Sequence, residues 1–339
     1  GKSTLLRVFR DRAKKPLVVL APTGVAAVNV QGQTIHSYFG FKPDITPNTV
    51  KDIRVRARNR ETYKKLRALV IDEVSMVRAD LLDSIDVFLR LHGPKRSLPF
   101  GGVQIISFGD LYQLPPVVTS REREIFAGHY KSPYFFDARA FAELQPEIIE
   151  LEKIYRQTDD RFIGLLNSIR NNTAGASELA ALNKRHNPDF EPKKNDRFVY
   201  LTTTNAGAEN INALELGKLK SKLYKFQGIV SGAFDQSHLP TREQLSVKIG
   251  SQVMMVNNDS SGRWVNGTIG AIAGIFYDDE KEAECLEVEL QNGKTEAVYP
   301  YTWDLYHFQY NKEKGQIESD TVGSFTQYPI MLAWAVTIH

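Results

Sequence analysis

The sequence predicts an α/β fold built on a parallel sheet and followed by a β-rich segment. Three observations carry that prediction. Apolar, strand-like runs alternate with segments of helical spacing, and polar motifs stand at the C-terminal ends of three of those runs. From about residue 226 the alternation gives way to short strands and two Asn-Gly turns. Strands alternating with helices form parallel sheets, and such sheets hold ligands beyond the carboxyl ends of their strands.

"STLLRVFRDRA" (3–13) has helical spacing, "PLVVLAPTG" reads as a buried strand ending in a turn, and "VAAVNV" as a short helix. A basic helix is expected over 50–67, then a second buried strand in "RALVIDEVSM" and a helix in "ADLLDSIDVFLRLH". "VQIISFGDLYQLPPV" is a third strand running into a Pro-terminated loop. A second alternating unit begins near 147: "PEIIELEKIYRQ" is expected as strand and loop, "DRFIGLLNSIRNN" as an amphipathic helix, and "RFVYLTTTNAGAENINALEL" as strand, loop and helix. In the β-rich stretch, "CLEVELQNGKTEAVYP" has the form of a hairpin with a two-residue turn. "IMLAWAVTIH" reads as one further buried strand.

Composition narrows the class. The 339 residues suffice for two or three domains, and 42% hydrophobic with 24% charged residues fits a folded chain. A net charge of +3 does not by itself announce a polyanion partner. The single cysteine, Cys285, excludes an intrachain disulfide framework and Cys-rich zinc sites, and suggests a reducing compartment. No apolar run approaches the ~18 residues of a membrane span.

The first four residues, Gly1-Lys2-Ser3-Thr4, match the closing half of a phosphate-binding loop. In such a loop, backbone N–H groups hold the β-phosphate, Lys2 reaches the β/γ-phosphates and the Ser3 hydroxyl coordinates Mg²⁺. "LVIDEVSM" supplies a complement: Asp72 would hold Mg²⁺ through water, and Glu73 would polarise the attacking water. "FGDLYQLPPV" puts Gln113 just past a neighbouring strand, where a neutral amide can sense the γ-phosphate without competing for the metal. Two acids capping a strand and a glutamine in a solvent-facing turn are the plainer readings of the same residues.

"APTGVAAVNVQGQTIHSYFGF", "IDEVSM", "PFGGVQIISFGDLYQLPPV", "YRQ", "GRWVNGTIG" and "LAWAVTIH" occur in this order. Together they resemble the Pif-type (petite integration frequency) DNA helicases of superfamily 1B, relatives of the RecD-like helicases. The resemblance implies two RecA-like P-loop domains (1–146, and 147–255 with 326–339) and a small SH3-like β-domain inserted at 256–325. It also implies ATP and Mg²⁺ at the domain interface, single-stranded DNA across both domains, and 5′-to-3′ movement. Arg156 matches the family's arginine finger, a group worth roughly 10³–10⁵ in rate in related enzymes; its plainer reading is a surface arginine. Unwinding of G-quadruplexes, and roles in replication, repair, recombination and telomere maintenance, follow from the resemblance alone.

By the same resemblance Thr23, Thr34 and His36 would touch DNA from the first domain, and Thr203 and Asn205 from the second. The second "TIH", ending at His339, joins them. Small donors suit phosphate and sugar contacts, and each equally suits a helix N-cap. Trp264 beside Arg263 is a candidate for base stacking, worth about 1–3 kcal/mol, although a hairpin tryptophan more often packs. The arginines and lysines of "KDIRVRARNRETYKKLR" wrap around a helix and form no single stripe, the pattern of a solvated face. The scattered histidines give no metal beyond nucleotide-bound Mg²⁺.

The sequence thus points to an ATP-dependent DNA helicase acting on single strands and single-strand/duplex junctions, as a monomer or as a dimer on DNA. A nucleic-acid-binding ATPase switch without unwinding is the alternative; a phosphotransferase would leave "GDLYQLPPV" and "TTTN" without a role. Both ends are expected to cut through working motifs, with the upstream glycine, the adenine-binding segment and a second arginine beyond them. The compact core leans toward a bacterial or phage protein of the cytoplasm, and toward nucleus or mitochondrion if eukaryotic.

Overall fold

A computed structural model describes residues 1–13, 15–118, 126–152, 159–190, 192, 196–234 and 239–337. The first elements along the chain are α1 (Lys2–Arg12), β1 (Leu17–Ala21), α2 (Gly24–Asn29), β2 (Gln33–Thr34), α3 (Ile35–Phe39), α4 (Ala57–Lys65), β3 (Ala68–Ile71), α5 (Ala79–His92) and β4 (Gln104–Ser107). Then come α6 (Arg139–Ala142), α7 (Asp160–Arg170), α8 (Ala176–Asn183), β5 (Tyr200–Thr202) and α9 (Asn205–Lys218). The rest is strand: β6 (Leu223–Gln227), β7 (Ile229–Gly232), β8 (Gln244–Lys248), β9 (Gln252–Met255), β10 (Ile269–Asp278) and β11 (Ala283–Leu290). The last five are β12 (Thr295–Val298), β13 (Tyr301–Asn311), β14 (Gln316–Gln327), β15 (Ile330–Leu332) and β16 (Ala335–Thr337).

The chain forms two compact units. One comprises Gly1–Pro22, Ile35–Glu191 and Gln309–Glu318; the other Thr23–Thr34, Pro192–Phe308 and Ser319–His339.

In the first unit β1 pairs parallel with β3 (Leu17↔Ala68 to Leu20↔Ile71), and β3 parallel with β4 (Ala68↔Gln104 to Ile71↔Ser107). Every residue of β3 is fully buried, as the continuous apolar run requires of a central parallel strand. Against the sheet, Tyr38, Phe39, Phe41, Tyr63 and Phe88 pack ring on ring, with edge-to-face contacts of 4.9–5.8 Å joining α3, α4 and α5. The Tyr63 hydroxyl donates to the Tyr38 carbonyl at 2.7 Å.

In the second unit β5 pairs parallel with β16. An antiparallel sheet of order β12-β11-β10-β9-β15 and a smaller one, β13-β14-β7, make up most of the rest. One core gathers Leu245, Met255, Trp264, Ile272, Val288, Val298 and Ile330 from strands across the β-rich stretch. Among the described residues no helix is long and apolar enough to cross a membrane.

Four expected elements differ. The basic helix of 50–67 is shorter: a 3-10 turn at Thr49–Asp52 precedes α4, so Arg54 and Arg56 lie outside the helix. No strand forms over 147–152, where Ile148 and Ile149 are 86% and 77% exposed without a neighbouring strand to take their amides. The hairpin turn holds three residues, since the Leu290 amide bonds the Lys294 carbonyl; Gly293 at φ +79° then adopts the left-handed conformation that this loop length needs. "IMLAWAVTIH" is two strands in different sheets, β15 antiparallel to β9 and β16 parallel to β5, broken at Ala333-Trp334.

Candidate active site

The site is built on the C-terminal edge of the parallel sheet and the start of α1. Leu5 makes the first intrahelical bond, to the Gly1 carbonyl at 3.0 Å. The amides of Lys2, Ser3 and Thr4 therefore have no partner within the helix. No side chain caps this end and no acid lies in its first turn. Ser3 and Thr4 are exposed. Helix amides without intrahelical partners, the positive end of a helix dipole and an ammonium group are the chemistry that suits an anion.

Across from it, β3 delivers Asp72. Its amide is tied to the Leu20 carbonyl at 2.8 Å, and its side chain is buried. Burial raises the Asp72 carboxyl above its ordinary range; the Glu73 amide opposes this, the Glu73 charge adds to it and Lys2 opposes it. Lys2 and Asp72 thus feel each other's charge. Glu73 sits in the left-handed region (φ 48°, ψ 43°), a conformation costing a non-glycine residue about 1–3 kcal/mol. The Val74 amide bonds the Phe108 carbonyl at 2.9 Å just beyond it, closing the turn over the end of β4. A Cβ on Gly109 would lie 2.7 Å from Val74 Cγ1, so this close approach needs glycine.

Sequence reasoning missed Asp110, the hub of the Gln113 loop. Its carboxylate accepts from the Tyr112 amide at 3.1 Å, the Gln113 side-chain amide at 3.0 Å and Arg170 Nη2 at 3.1 Å. Burial pushes its carboxyl upward, but the bonds from Gln113 and Tyr112, with Arg170 and Lys2, outweigh that and hold it below its ordinary value. Gln113 is exposed, and its side-chain amide nitrogen donates to Asp110, which leaves its carbonyl oxygen as an acceptor at the surface. Asp110 was findable as an acid at a strand terminus three residues before Gln113. Arg170, at the far end of an amphipathic helix, carries no such signal.

Lys2, Asp72 and Asp110 are therefore electrostatically connected, and Gln113 hangs from Asp110. Among the described residues no three His, Cys, Asp or Glu side chains converge as a metal centre. One buried carboxylate and one exposed hydroxyl suit Mg²⁺, which takes few protein ligands and fills its octahedron with water and phosphate oxygens. Arg156 lies outside the described residues.

The expected DNA contacts fall in several places. Thr23 N-caps α2, its Oγ1 accepting from the Ala26 amide at 3.3 Å. Thr34 is partly buried in β2. His36, in α3 of the first unit, is partly buried; burial lowers its pKa, the Arg78 charge lowers it further and Asp80 opposes. Thr203 is exposed beside Thr204, which N-caps α9. Asn205 Oδ1 accepts from Thr337 Oγ1 at 2.9 Å, joining "TTTN" and the second "TIH" at the C-terminal ends of the paired β5 and β16. His339 lies outside the described residues. Trp264 corrects its expected stacking role: it is 5% exposed, its Nε1–H donates to Asn257 Oδ1 at 3.1 Å, and Arg263 covers its ring at 4.3 Å. Such a ring packs a core and offers no face to a base.

A family model described as PIF1-like helicase matches residues 1–178. The human ATP-dependent DNA helicase PIF1 is 31% identical over the whole of this chain and 50% of its own length. The ATP-dependent DNA helicase Pif1 of Bdellovibrio bacteriovorus is 30% identical over the whole chain and 73% of its own. The crystal structure of Bacteroides sp Pif1 in complex with ADP-AlF4 superposes with a TM-score of 0.89 at 36% identity, covering all of this chain and 76% of that one. The chain spans about half the length of the fungal and human relatives it matches.

Proposed function

The chain belongs to the PIF1-like helicase family, and we propose that it is the motor core of an ATP-dependent DNA helicase moving 5′ to 3′ along single-stranded DNA. The observation that carries the reading is that Lys2, at the start of α1, lies close enough to buried Asp72 and to Asp110 of the Gln113 loop for its charge to act on both carboxyls.

ATP would set its phosphates on the amides of Lys2 to Thr4, with the Lys2 ammonium on the outer phosphate oxygens. Ser3 and Asp72 would hold Mg²⁺, which when bound supplies charge neutralisation at those oxygens. Glu73, aimed by its left-handed backbone, accepts a proton from the attacking water, and the Gln113 carbonyl orients that water. Arg156 would stabilise the charge on the transferring phosphoryl group as an arginine finger.

Residues 147–255 with 326–339 would serve as the second RecA-like domain and 256–325 as its SH3-like insertion; ATP binding would close the cleft between the two RecA-like domains, and hydrolysis would reopen it. Thr23, Thr34, His36, Thr203 and Asn205 would hold the strand by its phosphates and sugars. Single strands and single-strand/duplex junctions are the expected substrates.

Strand separation by the full-length protein on 5′-tailed and 3′-tailed duplexes tests this reading. Activity confined to the 5′-tailed duplex is expected. Separation of the 3′-tailed duplex overturns the polarity, and DNA-stimulated ATP hydrolysis with no separation on either overturns the helicase in favour of an ATPase switch.

A further inference from the structure

Two basic segments far apart in the chain meet at the opposite edge of the parallel sheet. Lys64 and Arg67 come from the end of α4 and the entry to β3; Lys95 and Arg96 come from the loop between α5 and β4. With Gly93, Pro94 and Gly102 they line a solvent-open cavity of about 690 Å³. Arg67 directly precedes β3, whereas Asp72 follows it. Four strand residues separate the two edges, about 13 Å at the usual rise. The cavity is thus distinct from the start of α1 at Lys2.

Little neutralises this cluster. Its lining contains no acid. The nearest ion pair is Lys64 with Glu61 at 3.9 Å, on exposed side chains, where such pairs contribute little. Among the described residues Lys95 and Arg96 have no carboxylate within ion-pair distance.

The cluster is held in place despite its self-repulsion. Arg67 donates its amide to the Pro16 carbonyl at 3.0 Å and accepts from the Gln104 amide at 3.0 Å, so its backbone is fixed. The other arm is clamped harder. Phe100, Gly101 and Gly102 run consecutively at φ 50°, 61° and 75°. The Phe100 ring is fully buried, and its amide donates to buried Asp86, itself bridged by Arg90. The Lys95 amide bonds the Gly101 carbonyl at 2.8 Å. A Cβ on Gly102 would sit 3.2–3.3 Å from the Lys95 stem, so glycine lets that stem lie flat along the loop. "PFGG" therefore has a structural purpose: it sets Lys95 and Arg96 opposite Arg67. The positive field is felt nearby, since Arg96 and Arg60 add to burial in lowering the His92 pKa.

We propose that this cavity binds the phosphodiester backbone of nucleic acid outside the strand engaged by the motor, gripping the duplex arm of a junction. Four cations with one weak counter-charge among them select phosphate. The absence of any aromatic ring from the lining disfavours a nucleobase, which needs a stacking face. Contacts of this kind hold the backbone and carry no sequence information. The inference rests on the proposed function only in taking the polyanion to be the substrate's own duplex.

The test uses the full-length protein and a K95E/R96E double variant, with unchanged thermal melting as the check on folding. Affinity is measured for a short single strand and for the same strand carrying a duplex arm, over a series of salt concentrations. The variant is expected to lose roughly tenfold on the arm-bearing substrate, with the salt slope lowered by about 2, near 0.9 for each phosphate that is no longer neutralised. Affinity for the short strand, and ATP turnover on it, should stay within about twofold of wild type, a change small beside that salt term. Equal affinities of variant and wild type for the arm, or an equal loss on both substrates, overturns the proposal. Inorganic phosphate that raises the melting temperature of the wild type alone, with arm affinity unchanged in the variant, overturns it in favour of a free-anion site. A wild type that fails to separate strands, with the arm-specific loss still seen in the variant, defeats the helicase reading and leaves this site standing.

Discussion

Arg170 and Asp110, sixty residues apart in the chain, are joined by a 3.1 Å hydrogen bond while the same guanidinium lies over the Tyr112 ring at 4.4 Å. The loop bearing Gln113 is thereby fixed to the last residue of α7, the helix that follows the Arg156 segment. The pair is half-exposed, with Arg170 at 41% and Asp110 at 21%, so its contribution to stability is about 0–1 kcal/mol. Its value lies in aim. Arg170→Ala should leave thermal melting nearly unchanged and KM for ATP within about twofold, yet lower kcat by about tenfold or more, within the ~10²-fold that small misplacements cost. A fall in melting with kcat retained would make the pair merely structural.

Lys2→Ala and Glu73→Gln separate binding from turnover. Loss of Lys2 should abolish nucleotide binding, read by fluorescent-nucleotide titration. Glu73→Gln should bind ATP and DNA as wild type while hydrolysis falls by about 10²–10⁴, the range for a lost general base. Near-normal unwinding by Glu73→Gln would remove Glu73 from the mechanism.

Two glycines with similar backbones should respond very differently to alanine. Gly40 (φ +70°) has open space around a built Cβ, whereas at Gly101 (φ +61°) that atom would meet the Leu89 carbonyl oxygen at 2.2 Å. Gly40→Ala bears only the left-handed cost, about 1–2 kcal/mol. Gly101→Ala must also displace the end of α5 and should cost at least 3 kcal/mol, roughly, in urea denaturation. Equal midpoints for the two variants would contradict the tight packing of the 93–102 loop.

Acid should destabilise the fold near neutrality. Burial, helped by Arg78 at His36 and by Arg96 and Arg60 at His92, lowers both pKa values below 6.5. The unfolded chain then takes up these protons first, so stability is full above pH 6.5 and declines as pH falls through that value toward the folded pKa. Urea midpoints at pH 7.5 and 5.5 check the sign; His92→Asn should flatten the difference, and a higher midpoint at pH 5.5 would refute it.

The parallel sheet and its edge were legible because β1 and β3 are continuous apolar runs closed by Gly, Asp and Glu, and buried central strands allow little else. That Lys2, Asp72 and Gln113 gather at that edge followed from their positions in the sequence. Asp110's hub and Arg170 depend on a contact between distant segments, which no local period encodes. Trp264 was ambiguous for a related reason: a ring beside an arginine looks alike whether it faces a base or a core, and only the Asn257 acceptor and the surrounding strands decide. The "EIIEL" run has strand composition, but composition cannot supply a neighbour.

Asn212 receives β16 with two hydrogen bonds to the Ala335 backbone, at 2.8 and 2.9 Å, across 123 residues of chain. On a ribosome adding about 5–20 residues per second, roughly 6–25 s pass between the appearance of Asn212 and that of its partner. Throughout that interval α9 and β5 exist without the strand that completes them. Of the two units the second is thus the later to acquire native order during synthesis, and the newborn chain carries a half-built sheet until Ala335 emerges.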